Sequence, residues 1–367
     1  MLEKIFSYPQ KVNQMKMNLA GLPGAPEQNE HKYKKYKRLY SFYELIPIKG
    51  GGRARFIMKN KDQILKNRKT KLFLDSGAYS AYMKKVTIDL DEYIQFVKEN
   101  KEYFEVYANL DVPEDPETTL KNQKIMEKAG LHPLPVFHYG EDPKFLQYYI
   151  DNYDYVALGG MAGGKRGRDL QRMWLDDMFA NYICDKKGFP KVKVHGFGMT
   201  SVPFMLRYPW YSVDSTAWIM VSRHGNILVP HYKDGKWLYD RKYMVIQVSN
   251  QSPSRMNKNK HIRNMPENVK RIIIEYLKMK GYTLGKSRLK KVPEEYKCKE
   301  NEIKYVTPHR YKGYKLVEEI LERGVCNDYK LRDELNAIYF MDMEKNSRPY
   351  PWPFILPRKK EVVGFGI

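Results

Sequence analysis

Between residue 71 and about residue 230, short apolar runs alternate with polar or glycine-rich breaks. Residues 72–74 precede Asp75, 106–110 precede Asp111, and 134–137 precede His138. Residues 155–158 precede Gly159, 192–194 precede His195, and 211–213 precede Asp214. Uninterrupted runs of this length fit strands buried on both faces. The stretches between them carry helical spacing. Ile94, Phe96, Val97 and Phe104 mark one helix, residues 118–129 before Gly130 a second, and 170–183 a third. A further strand is predicted over 16–19, ending at Ala20 and Gly21.

Strand–helix alternation with buried strands predicts parallel βα units. The fold class is therefore α/β, a (β/α)8 TIM-type barrel, in which residues just past the strand ends form the active-site rim. An open doubly wound sheet is the alternative, but no G-x-G-x-x-G fingerprint follows the first strand. Residues 1–250 are assigned to the barrel. Residues 251–367 are assigned to a smaller basic helical region, packed on the barrel or completing it. In that region a helix is predicted from Pro266 to before Gly281, and another carries Leu331, Leu335, Ile338 and Tyr339 behind Asn327 and Asp328. The tail over 349–357 is proline-rich and predicted to be extended.

Charge adds a partner to this picture. Residues 255–300 hold 14 Lys/Arg against 5 Asp/Glu, and the 367-residue chain holds 65 against 43, a net charge of +22. That excess favours a polyanionic partner, nucleic acid first, over the plain alternative of a lysine-rich surface. A hydrophobic content of 42% excludes a wholly disordered chain. Cys184, Cys298 and Cys326 are too scattered for a disulfide framework or a metal cluster, which makes a reducing cytoplasm the expected location. No apolar run approaches the roughly 18 residues of a membrane span, so no membrane partner is expected.

Asp75 and Asp214 each follow a short strand and stand beside small hydroxyl residues. On parallel strands both carboxylates reach one rim, where such a pair can divide nucleophile and acid/base roles. The alternative for each is the capping of the following helix. Asp111 is a third rim carboxylate, and His138 and His195 also end strands. Gly159 and Gly160 permit close backbone approach to a ligand. The run Gly163-Gly164-Lys165-Arg166-Gly167-Arg168 offers amides and cations to phosphate. The basic aromatic segment over 31–38, with Lys34, Lys35, Lys37 and Arg38, suits a nucleic-acid backbone.

Six motifs occur in the order of the tRNA-guanine transglycosylase superfamily. They are Leu74-Asp75-Ser76-Gly77-Ala78-Tyr79, Asn109-Leu110-Asp111, Val136-Phe137-His138-Tyr139-Gly140, Ala157-Leu158-Gly159-Gly160-Met161, His195-Gly196-Phe197-Gly198-Met199 and Tyr211-Ser212-Val213-Asp214-Ser215-Thr216-Ala217-Trp218. Their wording most resembles the phage and bacterial DNA branch, the DpdA-type 7-deazaguanine transglycosylases. The resemblance spans 71 to about 230. It implies exchange of guanine in DNA for a 7-deazaguanine, such as 7-cyano-7-deazaguanine, giving phage DNA protected from restriction.

Under that resemblance Asp214 is the nucleophile and Asp75 the general acid/base. Asp111 reads the base edge, the backbone of Gly159 and Gly160 meets the carbonyl and the 7-substituent, and Tyr79 stacks on the purine. Ser76, Met161, His138 and His195 complete the base-binding set, with His138 in place of the family's glutamine and His195 in place of an apolar stacking residue. Double-stranded DNA is the implied partner and the free 7-deazaguanine base the co-substrate, with no cofactor, in a monomer or homodimer. The tRNA enzymes hold zinc through Cys-x-Cys-x-x-Cys and a later His. This chain has no such cluster, so no structural zinc is expected. A tRNA-guanine transglycosylase, a catalytically silent nucleic-acid-binding protein and a carbohydrate hydrolase barrel are the alternatives.

Overall fold

The structure, a computed structural model, describes residues 13–23, 29–45, 69–161, 167–251, 260–304 and 313–356. Among the described residues, eight parallel strands form one sheet. In chain order they are β1 (Lys16–Ala20), β2 (Arg38–Ser41), β3 (Leu72–Asp75), β4 (Phe104–Tyr107), β5 (Val136–His138), β6 (Tyr155–Gly159), β7 (Lys193–Gly196) and β8 (Ser212–Ser215). Except for β4 and β5, each strand pairs with its neighbour in the chain, and the first pairs with the last, Asn18 opposite Asp214. The sheet is curled into a half-barrel of TIM-like kind. Its two edges, β4 and β5, approach each other just past the end of β4. There the Leu134 amide donates to the Tyr107 carbonyl at 2.8 Å, and the Asn109 amide donates to the Leu134 carbonyl at 3.0 Å.

Side chains alternate along each strand between two faces. The outward set, with Leu72 and Leu74 of β3 and Val156, Leu158 and Val213 of β6 and β8, packs under the helices. The inward set forms a separate cluster of Ala20, Leu39, Phe73, Ala108, Leu134, Val136 and Ala157. Asp75 lies two residues after the inward Phe73. Asp214 lies two residues after Ser212 and next to the outward Val213. Both carboxylates are thus on the inner face at the C-terminal ends of their strands.

The helices between the strands are α1 (Ala78–Met83), α2 (Leu90–Asn100), α3 (Pro116–Lys128), α4 (Pro143–Asn152), α5 (Arg168–Asp177), α6 (Val202–Arg207) and α7 (Ala217–Arg223). Their starts are written locally. Asp115 and Asp142 cap α3 and α4, accepting from the amides of Thr118 and Lys144, with proline at the first helical position. Helix α5 runs into a π-type turn over Met178–Ile183.

Beyond α7 come two short antiparallel pairs, β9 (Asn226–Val229) with β12 (Met244–Gln247), and β10 (His231–Lys233) with β11 (Lys236–Leu238). Helix α8 (Glu267–Met279) and helix α9 (Tyr329–Asn346) occupy the places the sequence predicts. The C-terminal region is not purely helical, however. A three-stranded antiparallel sheet, β13 (Lys286–Pro293), β15 (Tyr314–Glu322) and β14 (Glu302–Lys304), stands between them. Along β13 Ser287, Lys290 and Val292 are half-buried and the other positions exposed, a partial alternation masked by the density of lysine. Helix α9 packs on α7, β9 and β1, and its Ala337, Tyr339, Phe340 and Met343 join the main hydrophobic cluster with Trp352 and Phe354 of the tail. Among the described residues no helix is long and apolar enough to cross a membrane.

Candidate active site

The mouth of the half-barrel collects the ends of β3, β5, β6 and β8. Neither Asp75 nor Asp214 caps a helix. The cap positions of α1 and α7 belong to Gly77 and Thr216. The adjacent serines support the turns instead. Ser76 Oγ accepts from the Ala78 amide at 3.2 Å and Ser215 Oγ from the Ala217 amide at 3.1 Å. The two Asp-Ser segments therefore repeat one local design, and each leaves its carboxylate pointing inward. Gly77 is required in the first of them. Its φ is +80°, and a Cβ there would sit 2.3 Å from Ser41 Oγ.

Asp111 is buried and held from two sides. Ser76 Oγ donates to its Oδ1 at 2.6 Å, and His138 Nε2 lies 2.9 Å from its Oδ2. The other ring nitrogen of His138 lies 2.9 Å from Glu141 Oε1, and its backbone amide donates to Glu141 Oε2 at 2.8 Å. With a carboxylate at each ring nitrogen, the imidazolium is the favoured form. Burial alone would lower the His138 pKa, but the hydrogen bonds and charges of Asp111 and Glu141 raise it to about 10. Burial likewise opposes ionisation of Asp111, and His138, followed by Ser76, holds its carboxyl below the usual carboxylate range. Tyr93 lies beneath this group and donates to the Ala108 carbonyl at 2.7 Å. Burial, then the charges of Asp75 and Asp111, push its hydroxyl pKa well up.

Asp214 sits in a different environment. The Gly198 amide donates to its Oδ1 at 2.8 Å, and His195 Nε2 lies 3.3 Å from the same oxygen but off the hydrogen-bond direction. Among the described residues Oδ2 receives no hydrogen bond. His195 is fully buried, with its Nδ1 2.5 Å from Ser212 Oγ, which is 2.6 Å from the Tyr155 hydroxyl. Its ring is packed against Phe73 at 4.4 Å and Phe197 at 4.6 Å between centroids. Burial lowers its pKa further than Asp214 restores it. The two histidines of the mouth are thus pushed in opposite directions, His138 toward the cation and His195 toward the neutral ring.

The remaining expected base-binding residues divide. Tyr79 is 44% exposed on α1, beside Asp75, and is available for stacking. Gly159 gives room to a neighbour, since a Cβ there would come within 2.9 Å of His138 Cδ2. Its carbonyl is taken by the Tyr139 amide at 3.1 Å, while Gly160 is exposed with a φ of +72°. Met161 is a correction to the expected set. It is buried in the main hydrophobic cluster, so its side chain serves packing. Ser76, His138 and His195 are committed to Asp111, Glu141, Ser212 and Asp214, and act on a ligand through those partners. Glu141 and Tyr155 were not singled out in the sequence, and Ser212 and Gly198 stood there only inside motifs without a role, although Ser212 has the same-face spacing from Asp214.

The basic segment before β2 also needs correction. Arg38 is 0% exposed. It donates to the carbonyls of Leu19 at 2.8 Å and Gly21 at 2.6 Å and pairs with Glu30, so it cannot meet a phosphate. Lys37 is ion-paired with Glu344. Lys34, half-buried, and Lys35, exposed, precede β2 and so lie at the N-terminal end of the sheet, opposite the carboxylates. Arg168 is exposed at the first turn of α5, on the mouth side, and Lys165 and Arg166 lie outside the described residues. Among the described residues no group of three or more His, Cys, Asp or Glu is placed to hold a metal ion.

Fold and site together define an α/β protein with three carboxylates and two histidines in contrasting environments at the mouth of a curled parallel sheet. No family model matches the chain, and no curated protein or solved structure matches it.

Proposed function

We propose that the protein is a DNA-guanine transglycosylase that exchanges guanine for a free 7-deazaguanine base through a glycosyl-enzyme ester on Asp214. The observation that carries this reading is the inward placement of Asp75 and Asp214 at the ends of β3 and β8, with Asp111 held ionised between Ser76 and His138. On this reading the sheet is a closed (β/α)8 barrel. The cross-sheet contact of Phe73 on β3 with His195 on β7, four strands apart, and the bridge between Ala108 and Leu134 both support closure.

In the first step Asp214 Oδ2 attacks the anomeric carbon of the target nucleotide. The bond to the glycosidic nitrogen breaks with its electron pair leaving on guanine, and Asp75 in its acid form supplies the proton. In the second step Asp75, now a carboxylate, takes the ring N–H proton of the incoming base. The base nitrogen attacks the sugar carbon and the Asp214 carboxylate departs. Asp111 accepts hydrogen bonds from the donor edge of either base, using lone pairs left over from Ser76 and His138. The target nucleotide must leave the stack to reach this mouth. Arg168, exposed at the start of α5, supplies positive charge on the mouth side for the backbone.

The chain's net charge of +22 suits either polymer, and its lack of a zinc-type cysteine cluster favours DNA over tRNA. The test is nucleoside mass spectrometry of guanine-containing DNA and of tRNA, each incubated with protein and 7-cyano-7-deazaguanine. The expected result is the deazaguanine nucleoside in DNA alone. Incorporation into tRNA alone would transfer the reading to the tRNA reaction, and incorporation into neither would remove it.

A further inference from the structure

We propose that His195 is the positioning residue of Asp214, fixed as the neutral Nε2–H form by a buried hydroxyl relay through Ser212 and Tyr155, so that Asp214 presents Oδ2 to the sugar. The consequence for catalysis rests on the transglycosylase reading. The tautomer and the relay are properties of the chain itself.

Hydrogen-bond direction selects the tautomer. Tyr155 hydroxyl, Ser212 Oγ and His195 Nδ1 form one chain, with contacts of 2.6 and 2.5 Å. Each hydroxyl has one proton to give. If Nδ1 carried the proton, Nε2 would turn a bare lone pair toward Asp214 Oδ1 at 3.3 Å, lone pair against carboxylate oxygen. If instead Tyr155 donates to Ser212 and Ser212 donates to Nδ1, the proton rests on Nε2, on the side of that oxygen. The second arrangement satisfies both hydroxyls and Nδ1 and avoids setting a lone pair against the carboxylate oxygen. Nε2 makes no aligned hydrogen bond although the ring is fully buried, and Asp214 Oδ1 at 3.3 Å is the acceptor within reach of a small adjustment. Phe73 and Phe197 press on the ring and keep it from turning away. Such contacts often tighten only when substrate is bound.

The geometry also separates the two oxygens of Asp214. Oδ1 takes the Gly198 amide at 2.8 Å and faces His195 Nε2. Oδ2 is the oxygen left to bond with the anomeric carbon. In the resulting ester Oδ1 is the carbonyl oxygen. When the incoming base displaces the carboxylate, negative charge returns partly to Oδ1, where two N–H donors await it. His195 thus acts on both halves of the exchange without touching the sugar or the base.

Two measurements on the full chain test this. The first is 15N–1H correlation of labelled histidines, with His195 assigned by its loss in His195→Phe. The expected wild-type signature at neutral pH is the neutral Nε2–H tautomer, and Ser212→Ala and Tyr155→Phe should each move it toward a mixture with Nδ1–H. An Nδ1–H tautomer or an imidazolium in the wild type overturns the relay, as does a signature that neither hydroxyl variant moves. The second is the rate of covalent adduct formation on guanine-containing DNA. His195→Phe should slow turnover by about tenfold or more with little change in KM for the free base. His195→Gln, whose amide carries an N–H to the same place, should recover most of the loss. Wild-type turnover in His195→Phe, or no recovery in His195→Gln, overturns the positioning role. If wild-type protein forms no adduct on any guanine polymer, the transglycosylase reading fails while the tautomer measurement still decides the relay.

Discussion

His138 Nε2 and Asp111 Oδ2 lie 2.9 Å apart, and this pair sets the charge state at the mouth. Glu141 holds the far side of the ring, so His138 has no nitrogen left to read a base. Its function is to keep Asp111 ionised and oriented while both are buried. His138 therefore acts through Asp111 and not on a ligand directly.

This arrangement predicts a pH dependence of stability. The folded pKa of His138, raised to about 10, lies above its unfolded value near 6.5. The folded state therefore holds the proton more tightly, and the stabilisation is complete below pH 6.5 and is lost as pH rises through 10. Asp111 acts in the other direction. Its folded pKa is lowered, so its contribution is present above pH 4 and is lost as pH falls through the folded value. The stability gap between wild type and His138→Gln should be widest between about pH 4 and 6.5 and should narrow toward pH 10. Denaturant unfolding across that range measures it. A gap that widens with pH would reverse the assigned charge.

Asp214→Asn should abolish exchange and leave the fold intact. The amide oxygen can still accept from the Gly198 amide, one of the contacts that orient the group. The loss of a charged nucleophile should cost at least about 1,000-fold in turnover. Circular dichroism and trapping of the protein–DNA adduct check the two halves. An undiminished rate removes Asp214 from the role.

Much of this site was legible because catalytic-type residues stood one step past short apolar runs. Asp75, Asp111, His138 and Asp214 all fall where the alternation of βα units predicts a rim. What escaped was of two kinds. Glu141, Ser212 and Tyr155 act through other side chains, and nothing in spacing alone distinguishes a buried partner from a surface residue. The second kind was β2. Arg38 opens that strand, yet in the sequence it closes a run of lysines and tyrosines, and a buried cation has the same letter as an exposed one. The lysine-rich β13 was hidden in the same way. Met161 was read with the glycines before it, although the chain turns at Gly160 and carries its side chain into the outer core.

Gly159→Ala should disturb His138 before it disturbs the sheet. The added Cβ would fall 2.9 Å from His138 Cδ2, and also within 3.4 Å of Val136 Cγ1, so the ring must shift away from Asp111. The expected signature is a fall in the His138 pKa toward the ordinary histidine value together with weaker binding of the free base. The mismatch should be on the order of 1–3 kcal/mol for the weakened buried contact. Histidine titration by NMR and calorimetric titration with 7-cyano-7-deazaguanine check it. An unmoved His138 titration would show that the ring has space to spare.

Arg38→Met should destabilise the fold and leave nucleic-acid affinity untouched. The guanidinium is enclosed by the rings of Tyr33, Tyr40 and Trp218 at 5.7, 5.2 and 5.0 Å, and pairs with Glu30 while donating to two backbone carbonyls. Burial works against its charge, but Glu30, followed by Tyr40, more than compensates and raises its pKa. Methionine fills part of the volume but leaves the Glu30 carboxylate buried without its cation. Breaking such a pair from one side costs about 3–5 kcal/mol. Arg38→Met with Glu30→Gln removes the stranded charge and should recover part of that loss. Unfolding curves for the single and double variants measure the coupling. DNA affinity against salt, taken where each variant is still folded, should keep the wild-type slope, because neither residue meets a phosphate. A flattened slope in Arg38→Met would return the arginine to the nucleic-acid surface.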